Sequence, residues 1–193
     1  MSIFETYLRL GLLHITDLHA YDHLLFILAI CAGFEPADWR RVAWLVTAFT
    51  AGHSVTLALA TSGLIVVSPR LVESLIPVTI LATCVMNLAR LGGRGGRHRE
   101  ASYALAGAFG LVHGLGFSSY LRAVLGREVS IVQPLLAFNV GLEIGQLTIV
   151  AAALLLALIA DTALGFDRRR WTVLVSGVAG VISVRLIVLA GLS

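Results

Sequence analysis

Five ionisable residues lie in or at the edge of the apolar stretches of this chain: Asp22, His23, His53, His113 and Glu143, with Asp17 close by. An ionisable group at membrane depth costs several kcal/mol unless it is paired or wetted, so it marks function by default. Imidazole plus carboxylate is a ligand set for Zn²⁺, Ni²⁺ or Co²⁺. Neutral imidazoles supply nitrogen, and a carboxylate offsets part of the cation's charge. Asn139, Gln146, Ser54 and the threonines Thr47, Thr50 and Thr56 are candidates to orient such ligands from behind. His14 and His19, in the polar stretch 14–23, are candidates for the shell or for an entry site. Plainer roles compete. A single histidine in a membrane helix often serves as an interhelical hydrogen-bond partner. Asp17 is suited to capping a following helix. Arg185, embedded by its place in the sequence, is a counter-ion for Glu143 or a snorkelling residue.

The elements that must position these groups follow from composition. The 193 residues are 58% hydrophobic and 13% charged, with a mean hydropathy of +0.92. A soluble domain of this size cannot cover so much apolar surface. The expected fold is all-α: one integral membrane domain over residues 1–193, a polytopic bundle of six transmembrane helices plus an N-terminal amphipathic segment. Residues 2–13 read as that segment, lying in the interface or tucked against the bundle. The six spans fall at about 20–33, 42–61, 70–90, 101–124, 131–160 and 171–190. In the second, Thr47, Thr50, His53 and Thr56 recur near one face; in the fifth, Asn139, Glu143 and Gln146 do the same. Gly107, Gly110 and Gly114 give the fourth a small-residue stripe for close helix approach. Residues 91–100, LGGRGGRHRE, form the clearest linker, and its His98 reads as a solvated loop residue.

All 14 basic residues are arginine. Nine of them (40, 41, 90, 94, 97, 99, 168, 169 and 170) fall in loops on one side, and four (9, 70, 122 and 127) on the other. The positive-inside rule then puts the nine in the cytoplasm and both termini outside. If residues 2–19 also crossed, the count would be seven and the N-terminus would be inside. With these boundaries the histidines and Glu143 converge near mid-bilayer, and Asp22–His23 sits nearer the outer surface. Nucleic acid is excluded as a partner, because the arginines lie between apolar runs and no recognised binding fold is present. Cys31 and Cys84 read as small buried hydrophobes. The first 19 residues are too polar for a cleavable signal peptide.

Four stretches, AYDHLLFILAI (20–30), VTAFTAGHSVTLALA (46–60), GLVHGLGFSSYL (110–121) and FNVGLEIGQL (138–147), resemble the HupE/UreJ family of bacterial membrane proteins. The resemblance implies a six-span bundle in the inner (plasma) membrane and a link to nickel or cobalt supply for hydrogenase and urease, with members regarded as secondary metal permeases. Nickel/cobalt permeases more broadly carry a histidine a few residues before an Asp-His pair. Here the pair is Asp22–His23, and the preceding histidine is His19, two intervening residues away, or His14, seven away.

Three functions fit these residues. The first is a divalent-metal permease with Asp22, His23, His53, His113 and Glu143 as ligands. The second is a zinc-dependent intramembrane hydrolase in which Glu143 or Asp22 is the base and Ser54 stabilises an oxyanion. The third is a non-catalytic subunit of a larger membrane complex. The expected partners are the lipid bilayer, a Ni, Co or Zn ion, and a membrane-protein partner or a second copy of the chain.

Overall fold

The computed structural model describes residues 2–17, 21–91, 99–125 and 130–192, and among these every regular element is helical. The elements are α1 (Ile3–Thr16), α2 (Asp22–Ala32), α3 (Trp39–Thr61), α4 (Pro69–Ala89), α5 (Arg99–Gly116), α6 (Ser118–Leu125), α7 (Val132–Leu164) and α8 (Arg168–Leu192). Four helices, over Pro36–Thr61, Pro69–Ala89, Val132–Leu164 and Arg168–Gly191, are long and apolar enough to cross a membrane. A fifth is added if α5 and α6, bent by 50° at Phe117, count as one span. The stretch read as an unbroken fourth span is thus two helices. Their outer faces are apolar: Trp44, Leu136, Leu155 and Val181 are all exposed. A surface of that kind suits lipid.

Two seams of glycine set the packing. The first joins α3 to α5. A Cβ on Gly110 would lie 2.0 Å from the Phe49 carbonyl oxygen, and one on Gly114 would lie 2.2 Å from that of His53. Gly52 meets Gly107 in the same way, at 2.1 Å. Only hydrogen fits at these points, so the backbones touch and the two helices run parallel. The second seam joins α1 to α7. A Cβ on Gly11 would lie 2.0 Å from the Phe138 carbonyl oxygen, and one on Gly141 would lie 2.0 Å from that of Leu8. Helix α1 is set up for this by its sequence. A capping box closes its start: the Ser2 N–H donates to Glu5 Oε2 (2.9 Å) and the Glu5 N–H to Ser2 Oγ (3.2 Å). Tyr7, Gly11 and Ile15, four residues apart, form its buried line.

Ring contacts give the remaining directions. His23 faces His53 and Phe26 faces Phe49, so α2 runs against α3. His53 faces Phe138 and Thr47 meets Glu143, so α7 runs against α3 as well. Helices α1, α2 and α7 therefore point the same way, and α1 and α2 follow one another along that direction.

The C-terminus of α2 is held by three side chains. Asn87 Nδ2 donates to the Ala29 carbonyl (2.6 Å), Thr172 Oγ1 to that of Ala32 (2.6 Å), and Arg168 Nη2 to that of Gly33 (3.0 Å). These satisfy the carbonyls that a helix end leaves orphaned. On the opposite side of the bundle, Arg122 of α6 donates to the Ala60 carbonyl near the end of α3. Cys31 and Cys84 are free and buried.

Candidate metal centre

His53 lies midway along α3, where Gly110 and Gly114 press against its backbone and leave the side chain fully buried. His14 sits in the last turn of α1 and His23 in the first turn of α2. One ring nitrogen from each of His14, His23 and His53 lies within 4.8 Å of the other two. His23 is the hub: its ring centroid is 4.8 Å from that of His14, 5.0 Å from His113 and 6.0 Å from His53.

The protons of His23 can be assigned. Its Nδ1 is 3.1 Å from Asp22 Oδ1. A carboxylate only accepts, so Nδ1 carries a hydrogen, and in the neutral ring that ligates a metal Nε2 carries the lone pair. That Nε2 is buried without a partner, as are His14 Nε2 and both nitrogens of His53. Buried polar atoms are nearly always bonded, so several orphaned nitrogens facing one another require an explanation. A cation bound by imidazole would supply it. Asp22, hydrogen-bonded behind His23, is placed to orient that ligand as carboxylates commonly do behind metal-bound histidines. Nitrogen ligands suit Zn²⁺, Ni²⁺ and Co²⁺, whereas Ca²⁺ and Mg²⁺ take oxygen. Tetrahedral coordination at about 2.1 Å would bring the nitrogens to roughly 3.4 Å from one another. The wider spread here means that the side chains must close on the ion.

Other residues singled out from the sequence lie around this group. His113, fully buried on α5, adjoins His23, and its Nε2 is 2.9 Å from Thr79 Oγ1. Glu143 is on α7 and accepts from Thr47 Oγ1 at 2.5 Å; it is not part of the histidine group. Gln146, fully buried, meets Thr50 Oγ1 at 2.6 Å. Asn139 Nδ2 donates to the Leu135 carbonyl of its own helix. Ser54 Oγ donates to the Thr50 carbonyl one turn back, so its hydrogen is committed to the backbone. Asp17 closes the C-terminus of α1, and it and Asp22 both act electrostatically on His14. Arg185 is on the exposed face of α8. His19 and His98 lie outside the described residues.

Aromatic rings close the group on two sides. Phe117, at the α5–α6 bend, lies 4.0 Å from the His14 ring and stacks on Phe138 at 5.1 Å and 15°. Opposite, Phe26 and Phe49 lie 5.2 and 5.0 Å from His113. Beyond Phe26 a cleft continues past Phe109, Thr83 and Asn87 to Arg90.

His14, a candidate for the shell or an entry site from its place in the polar stretch 14–23, is one of the three grouped histidines. A line of Tyr7, Gly11 and Ile15 at four-residue spacing, matched to Gly141 and Gly145 of the fifth span, is the signal that α1 packs lengthwise on α7.

The description HupE / UreJ protein belongs to the family model that matches residues 1–190 of this chain. No curated protein and no solved structure matches it.

Proposed function

This chain belongs to the HupE/UreJ family, and from that premise we propose that it is a permease for a divalent transition-metal ion of the nickel or cobalt type. His14, His23 and His53 hold the ion, and Asp22 orients His23. The observation that carries this reading is the meeting of three imidazoles, from three helices, with ring nitrogens buried and unbonded. A packing role would have paired those nitrogens with hydroxyls or carbonyls.

Transport, rather than storage, is favoured by the helix interruptions. The group sits where α1 gives way to α2 and beside the bend between α5 and α6. Interrupted helices at the substrate site are a recurrent device of secondary transporters. Six crossings follow if α1 with α2 makes one interrupted crossing and α5 with α6 another. That count puts both termini on one side, outside the inner membrane by the arginine bias.

The test is metal binding by the purified protein in micelles, by equilibrium dialysis against Ni²⁺, Co²⁺ and Zn²⁺, followed by Ni²⁺ uptake into proteoliposomes. One ion per chain is expected, lost in His23→Ala and His53→Ala. Stoichiometric binding that survives both substitutions, or no binding of any of the three metals, overturns the reading.

A further inference from the structure

His113 adjoins the three-histidine group without belonging to it, and its hydrogen bonding fixes what it can do. Thr79 Oγ1 is 2.7 Å from the Ile76 carbonyl oxygen and 2.9 Å from His113 Nε2. A hydroxyl has one hydrogen. Two oxygens only 2.7 Å apart need that hydrogen between them, so Thr79 donates to Ile76 and must accept from His113. The hydrogen of His113 is therefore on Nε2, and Nδ1 carries a bare lone pair. That Nδ1 is buried and has no partner. A doubly protonated ring would instead leave an Nδ1–H buried with no acceptor.

We infer that His113 Nδ1 is a second station for the same metal ion, shared with His23, and that Thr79 is the positioning residue that keeps it open. The inference rests on the permease reading. His23 is 4.8 Å from His14 on one side and 5.0 Å from His113 on the other, so a small turn of its ring serves either partner. The two ends of this row differ in their surroundings. His14 lies under Phe117, whereas His113 lies against Phe26 and Phe49. Phe26 is also the inner wall of the cleft that runs past Thr83 and Asn87 to Arg90. An ion moving from His14 and His53 to His113 advances toward that cleft. Phe26 then lies between the ion and the cleft that leads to Arg90.

The first experiment uses ¹⁵N NMR of the metal-free, full-length protein with labelled histidine, in micelles, with His113→Gln to identify the resonances. Nε2–H with a bare Nδ1 is expected at His113; Nδ1–H overturns the proposal. The second compares Thr79→Val with Thr79→Ser, using Ni²⁺ alone as the probe. The valine variant removes the acceptor and is expected to slow Ni²⁺ release into proteoliposomes about tenfold, the lower end of the usual effect of a group behind a metal ligand. Binding at the three-histidine group should remain, and the serine variant should behave as wild type. Unchanged release and an unchanged tautomer in Thr79→Val overturn the proposal. A wild-type protein that binds no Ni²⁺ sinks the permease reading, while the NMR result still decides the state of His113.

Discussion

His53 and His14 reach the same point by different seams. The α3–α5 seam is long: Gly52, Gly107, Gly110 and Gly114 lie along it, and His53 sits midway in a 23-residue helix. The α1–α7 seam uses the same device, glycine against carbonyl, but α1 has only 14 residues and His14 is in its last turn. One proposed ligand is built into the frame of the bundle; the other sits in the last turn of a short element. We expect the shorter α1 wall to yield more readily than the α3 wall, which would let the site close on an ion and open again. Such yielding would accommodate a histidine spread wider than coordination needs.

The largest expected effect is at the fixed seam. Gly110→Val drives a branched side chain into the Phe49 backbone, and we expect a loss of more than about 4 kcal/mol. Thermal unfolding and size-exclusion chromatography in detergent would then find no monodisperse protein. Next comes ligand removal. His53→Ala should abolish measurable Ni²⁺ binding, whereas His14→Ala should leave binding that is weakened by at least the roughly tenfold lost with a group behind a metal ligand. Equal losses, read by equilibrium dialysis, would erase the distinction between the walls. Gly141→Val tests the movable seam directly. It should detach α1 while the other helices stay folded, so its Ni²⁺ affinity should match that of His14→Ala and its unfolding temperature should fall less than that of Gly110→Val. If the two glycine variants unfold alike, α1 is part of the frame. The smallest effect is expected at Phe117→Ala, which uncovers His14: Ni²⁺ should leave a few-fold faster, by stopped-flow chelation, with the folded state intact.

The sequence made much of this legible where spacing alone decides the outcome. The stripe of Gly107, Gly110 and Gly114 pointed to close helix approach, and backbone contact at Gly110 and Gly114 is found. The threonine and histidine face of α3 turns inward, with Thr50, His53 and Thr56 buried. Periodicity says which residues share a face but not which neighbour that face meets. Asn139, Glu143 and Gln146 share a face of α7, yet Glu143 meets Thr47 and Gln146 meets Thr50 rather than a histidine. The bend at Phe117 was hidden for a different reason. The run Gly114-Leu-Gly-Phe-Ser118 is apolar enough to continue a span, and hydropathy does not register the freedom its glycines give the backbone. His14 was obscured by length, since 14 residues of mixed polarity look interfacial until a partner helix is known.

The place where α1 stops and α2 starts has an electrical consequence. A helix presents about half a negative charge at its C-terminus and half a positive one at its N-terminus. Set beside the same imidazoles, the two nearly cancel, so the field felt by an arriving ion is left to Asp17, which closes α1, and Asp22, which opens α2. On the permease reading, two formal negatives then balance a doubly positive guest, and its departure removes that counter-charge from Asp17 and Asp22, five positions apart in the chain. Emptying the chamber would therefore be the uphill half of such a cycle. It will be quickest when another ion, or a pair of protons, is ready to take the vacated place.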